Sequence, residues 1–269
     1  MSKFKRLVAY GCSFTQGGEL VDEDWFPGAE EFKKSKGMSK FNDLTKTKLG
    51  NEGKLWEYLN DSKKFSWANI LAEKMNLECS NLAVPGNSML RLVYQIEKDL
   101  SESNITSEDL IVIGLTTPNR LCWLREINSS INPANMHLAW PDSFPKELKS
   151  GHEYFVTWFN LETSKFFQTI LLSHLLRLAN TTLSGRLYFV ECYPFEGFRG
   201  MQDNHCEEYN RVIQRIFSEF KSSGLILSTY NLFEKTSLSD IHAGGHPMRH
   251  IHDRWAKHIY ENCQKLGLT

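Results

Sequence analysis

No single chemical character dominates this chain. Basic and acidic residues nearly cancel, 31 Lys and Arg against 32 Asp and Glu for a formal net charge of −1. The clustered basic surface that a phosphate backbone requires is missing, which excludes nucleic acid as the main partner. No apolar run approaches the ~20 residues needed to span a bilayer, and the stretch Met1 to Lys5 lacks the apolar core of a signal peptide, so we expect a cytoplasmic protein with no membrane partner. Cys12, Cys79, Cys122, Cys192, Cys206 and Cys263 show no Cys-x-x-Cys spacing, which argues against a zinc cage or a disulfide framework and leaves free thiols. Internal repeats and low-complexity tracts are also lacking. A chain of 269 residues, 41% hydrophobic and 23% charged, is long enough to bury a full core, and we expect one domain over 1–269.

Short β-type runs alternate with helical patterns. Arg6 to Tyr10, Glu78 to Val84, Asp109 to Leu115, Arg186 to Glu191 and Leu225 to Ser228 read as strands, the third being a continuous buried run. Trp67 to Met75 behind Ser66, Ser88 to Leu100, Thr163 to Ala179, Glu207 to Lys221 and Met248 to Lys265 behind Pro247 read as helices. This alternation predicts an α/β fold: a three-layer α/β/α sandwich around a five-stranded parallel sheet in the flavodoxin-like order 2-1-3-4-5. Two stretches lose periodicity, about 16–64 and 121–159. We read both as long insertions rooted at the carboxyl edge of the sheet, where they would border the crevice and restrict which substrates enter.

Four segments converge on that edge. Gly11-Cys12-Ser13-Phe14-Thr15-Gln16-Gly17 delivers a serine directly behind the first strand, and Cys12 should point away from it. Asn81-Leu82-Ala83-Val84-Pro85-Gly86-Asn87-Ser88 follows the second strand, Gly114-Leu115-Thr116-Thr117-Pro118-Asn119-Arg120 the third, and His246-Pro247 precedes the last helix. In order and content these blocks resemble those of the SGNH (GDSL-like) hydrolase family, in the manner of a divergent, phage-type member, with Cys12 where the name-giving Asp usually stands.

The resemblance implies an esterase that needs no cofactor or metal. It cleaves an acyl or acetyl ester on a carbohydrate or small metabolite: Ser13 attacks, His246 is the base, and the Ser13 and Gly86 N–H groups contribute to the oxyanion hole. Two positions depart from the pattern. The family's third oxyanion donor, an asparagine, falls on Thr116, with Asn119 a substitute if the loop bends back. The usual acid three residues before the histidine falls on Ala243, so the imidazole would be oriented either by Asp240 or by a backbone carbonyl, which Gly244 and Gly245 favour by letting the main chain turn toward the ring. Asn87 and Arg120 are the candidates for contact with substrate.

Two other readings stay open at this level. His242, His246, His250, His252 and Asp253 are dense enough to suggest a metal site, although His252 alone reads as a packing or capping residue. A catalytically silent domain of the same fold, binding a glycan or acting as an interaction module, accounts for the weakened third block and the missing acid.

Overall fold

The computed structural model describes residues 3–50, 52–84, 87–115, 121–124, 136–139, 161–192, 207–228, 240–242 and 246–269. Strand β1 (Arg6–Tyr10) lies between β2 (Glu78–Asn81) and β3 (Asp109–Leu115), and β3 is followed across the sheet by β6 (Leu187–Glu191) and β7 (Ile226–Ser228). All neighbours are parallel. This is the expected five-stranded order.

Side chains alternate across the sheet with a period of two, as pleating requires. Leu7, Ala9, Leu110, Val112 and Val190 face a core shared with Trp67, Leu71, Trp255 and Ile259. Val8, Ile111, Ile113, Leu187 and Phe189 face the opposite core, with Leu92, Ile96, Leu172, Leu175 and Phe220. The first core is closed by α6 (Trp67–Met75) and α10 (Arg249–Lys265), whose Trp67 and Trp255 rings lie 5.2 Å apart. The second is closed by α7 (Met89–Ser101), α8 (Leu161–Asn180) and α9 (Glu207–Ser222). Helices on both faces explain why every residue of β3 is buried. At the amino end of the sheet Arg6 makes a two-pronged contact with Asp109, Nε to Oδ1 at 2.8 Å and Nη2 to Oδ2 at 2.7 Å. That leaves the opposite, carboxyl end for the loops.

Both insertions differ from the irregular structure expected of them. Helix α1 (Ser13–Gln16) leads into the first, which contains α2 (Asp22–Trp25), α3 (Ala29–Lys36), α4 (Met38–Leu49) and α5 (Glu52–Lys64). Its few apolar residues gather in a satellite core of Phe26, Ala29, Phe41 and Leu49, against which Trp25, Phe32 and Tyr58 pack. Lys, Glu and Leu are good helix formers, and scattered aromatics suffice to bind short helices together. In the second, β4 (Leu121–Leu124) pairs antiparallel with β5 (Met136–Ala139).

Candidate functional site

Ser13 begins α1 immediately after β1, with Cys12 in extended geometry as its N-cap. Thr15, one turn on, explains two of the glycines. A Cβ on Gly11 would lie 2.3 Å from Thr15 Oγ1 and one on Gly114 only 2.0 Å from it, so the first and third blocks meet around this buried hydroxyl. Gly17 ends the helix at φ +94°, a left-handed conformation that favours a residue without a side chain. Cys12 is fully buried, in the core that also holds Trp67.

Two asparagines from the second block hold this turn from the side of β2. Asn81 Nδ2 donates to Thr15 O at 2.9 Å and to Ser66 Oγ at 3.0 Å, while Asn87 Nδ2 donates to Gly11 O at 3.2 Å. Asn87 is 1% exposed, so its place is beneath the nucleophile turn and not at the substrate surface expected for it.

His246 arrives from a distant part of the chain. Residues 240–242 and 246–248 pair in a short reversal: His242 N donates to His246 O at 2.8 Å, Met248 N donates to Asp240 O at 2.9 Å, and Ile241 bridges Pro247. This places His246 Nε2 2.7 Å from Ser13 Oγ. The imidazole is wedged between the Phe14 ring, 5.1 Å away between centroids, and Gly18, where an added Cβ would lie 3.0 Å from His246 Cδ2.

Of the two groups expected to orient the ring, Asp240 needs correction, while the carbonyls of 243–245 lie outside the described residues. Asp240 Oδ1 pairs with His250 Nε2 at 3.0 Å, and the group facing His246 Nδ1 is Glu19, with Oε2 at 3.3 Å. The two atoms are close enough for a charge to be felt across the gap but lie off the line of a well-formed hydrogen bond. The Glu19 side chain is only 5% exposed. Burial pushes its carboxyl up, but His246, Lys33 and His242 outweigh burial and hold it below the ordinary value. Its backbone stands at φ +67°, a left-handed conformation that is costly outside glycine and clusters at functional sites.

Behind Glu19 stands Lys33, whose side chain is wholly buried and whose Nζ lies 3.4 Å from Glu19 Oε1, 2.7 Å from Asp22 Oδ2 and 2.9 Å from Glu30 Oε1. Sequence reasoning missed both residues. A search for the acid upstream of the histidine could not find one six residues downstream of the serine, and Lys33 sits in a run of lysines that resembles a solvated face. The available signal was Gly17-Gly18-Glu19, a glutamate delivered by a glycine pair directly behind the nucleophile turn.

The remaining histidines go separate ways. His242 Nδ1 is 2.8 Å from Glu30 Oε1, and His252 Nδ1 accepts from Trp67 N at 3.0 Å. Among the described residues no group of three or more metal-ligating side chains could hold an ion. Gly86, Thr116, Asn119 and Arg120 lie outside the described residues. No described helix is long and apolar enough to cross a membrane.

No family model and no curated protein matches the sequence. Among solved structures the chain is similar to a lipolytic protein of the G-D-S-L family from Desulfitobacterium hafniense DCB-2, at 11% identity over 96% of this chain and 99% of that one, TM-score 0.42. It is also similar to a G-D-S-L lipolytic protein from Veillonella parvula DSM 2008, at 10% identity over 97% of each chain, TM-score 0.46. A third similar structure is a carbohydrate esterase whose active site is described as having divergent catalytic and non-catalytic binding functions, at 13% identity over 98% of this chain and 69% of that one, TM-score 0.47.

Proposed function

We propose that this chain is a serine ester hydrolase of SGNH type, acting on an acyl or acetyl ester of a carbohydrate or small metabolite. The observation that carries the reading is the 2.7 Å contact between Ser13 Oγ and His246 Nε2 at the carboxyl edge of the sheet. A serine hydroxyl is a poor nucleophile until a neighbouring base can take its proton, and this base is within direct reach. With Nε2 turned to the hydroxyl as acceptor, the ring proton belongs on Nδ1, the side that Glu19 faces.

In this mechanism Ser13 Oγ attacks the acyl carbon as its proton passes to His246 Nε2. Glu19, an anion beside Nδ1, stabilises the imidazolium that forms. The carbonyl oxygen becomes an oxyanion and takes a hydrogen bond from the Ser13 N–H, which as the first residue of α1 has no intrahelical acceptor. In the reading drawn from the family, the Gly86 N–H adds to this, with Thr116 and Asn119 as further donors. Collapse of the tetrahedral intermediate breaks the ester C–O bond, and His246 returns its proton to the departing alcohol. Water then cleaves the acyl-serine with the same histidine as base, releasing the carboxylic acid. Each step is a proton transfer or an acyl transfer, so the chemistry calls for no cofactor.

The experiment is labelling with a fluorophosphonate probe alongside turnover of p-nitrophenyl acetate. Labelling and turnover that vanish in Ser13→Ala support the hydrolase. Neither reaction in the native chain, together with retained binding of a glycan, would establish the silent module instead.

A further inference from the structure

Lys33 is the hub of a buried cluster in which each of its three carboxylates has a second partner. Glu19 divides its oxygens, Oε1 toward Lys33 and Oε2 toward His246. Asp22 gives Oδ2 to Lys33 and accepts the Tyr58 hydroxyl on Oδ1. Glu30 Oε1 is shared by Lys33 and His242. A fourth contact is with an aromatic face, Lys33 Nζ lying 5.0 Å from the centre of the Phe41 ring. Every one of these partners except the two histidines lies in the first insertion.

We propose that Lys33 is a positioning residue for the Ser13–His246 pair: it fixes Glu19 with one oxygen held and the other left for the imidazole, making the first insertion part of the reaction machinery.

The proposal rests on the hydrolase reading and deepens it. A carboxylate in a left-handed backbone position, buried and without a hydrogen bond of good angle, has little else to keep it ionised and pointed at Nδ1. The lysine supplies both functions. Its ammonium is pushed down by burial, and Asp22, Glu19 and Glu30 overcome that and hold it above its ordinary value, so it stays charged at working pH. Removing that cation favours protonation of Glu19, which loses a nearby positive charge. That depletes the state in which an anionic carboxylate faces the imidazole. The other charged or titratable groups around the cluster are Asp22 on α2, Glu30 on α3, Tyr58 on α5, His242 in the reversal and His252 on α10.

The test compares Lys33→Met and Lys33→Arg with Lys34→Met, whose lysine is exposed on the same helix. The measurements are the pH profile of kcat/KM for p-nitrophenyl acetate, the rate of fluorophosphonate labelling, and the ring-nitrogen NMR signals of His246. We expect Lys33→Met to move the acid limb of the profile up by about one pH unit, to slow labelling at pH 7 by at least ~10-fold and to shift the His246 ring signals. Lys33→Arg should recover part of each, and Lys34→Met should match the native chain. If Lys33→Met does not fold, the same readings are taken on Lys33→Met/Asp22→Asn/Glu30→Gln, which leaves fewer buried charges to compensate. A folded variant of either kind with the native profile and native His246 signals overturns the proposal. Shifted His246 signals in a chain whose native form never labels or turns over would remove the hydrolase reading and leave the Lys33 assignment standing.

Discussion

Glu19, six positions after Ser13 in the chain, faces the Nδ1 side of His246 at 3.3 Å, while Ser13 itself faces the Nε2 side at 2.7 Å. The proposed nucleophile and the carboxylate therefore come from one short stretch and flank the same ring from opposite edges. Replacing the equivalent acid by its amide in a serine protease lowers turnover by about 10⁴. Because the Glu19 contact is longer and off-line, we expect Glu19→Gln to lower kcat/KM for an activated ester by about 10²–10⁴-fold. Asp240→Asn should cost less than about tenfold, since its carboxylate engages His250. Kinetics on the two amide variants, with circular dichroism to confirm folding, decides between them.

Gly18 gives a second, independent handle on the imidazole. Its φ is not in the left-handed range, so alanine is allowed by the backbone, but the added methyl would press on His246 Cδ2. A ring displaced by a fraction of an ångström loses its line to Ser13 Oγ. Gly18→Ala should lower kcat by about tenfold or more while moving Tm only slightly. Equal turnover in the two proteins would mean that the ring gives way freely and is not held by Gly18.

The first insertion can be removed as a unit, because its satellite core is separate from both cores that flank the sheet. Replacing 19–64 by a short Gly-Ser linker removes Glu19 and Lys33 together. A segment that only screened substrates would leave reaction with a small ester intact. We expect turnover of p-nitrophenyl acetate to fall at least as far as in Glu19→Gln.

Acid sensitivity should arise at His252, a buried ring whose Nδ1 accepts the Trp67 N–H. Burial, with His246 and His242 nearby, pushes it down to about 3. A base depressed in the folded state contributes stability that is complete above its unfolded value, near 6.5, and that is lost as pH falls toward about 3. Between pH 7 and pH 5 the native chain should therefore lose about 2 kcal/mol from this group. Urea unfolding of native and His252→Gln chains at the two pH values measures it, and the variant should lose correspondingly less.

The sheet was legible because its signals are local. β3 coincides with its apolar run, and Ser66 and Ser88 cap α6 and α7, each accepting a backbone N–H from three residues on. Ser13 and His246 were legible from their blocks. Glu19 and Lys33 were not, because what buries them is one another: Asp22, Lys33 and Glu30 would read as surface residues until their charges are seen to cancel. Helices α3 to α5 were hidden for a related reason. Their polar composition gives a weak periodic signal, and only the assembled aromatics show which face turns inward.

The 2.7 Å contact joins residues separated by 233 positions, so Ser13 is made well before His246. The turn around Ser13 can be fully formed, held by Asn81 on the neighbouring strand and by Asn87 just before α7, while under the proposed mechanism the nascent chain remains inert toward esters. Reactivity is switched on only when α10 emerges and docks, bringing His246 with it. Translation itself would thus impose a delay between building the proposed nucleophile and arming it, and an incomplete chain would carry a serine that cannot yet be acylated.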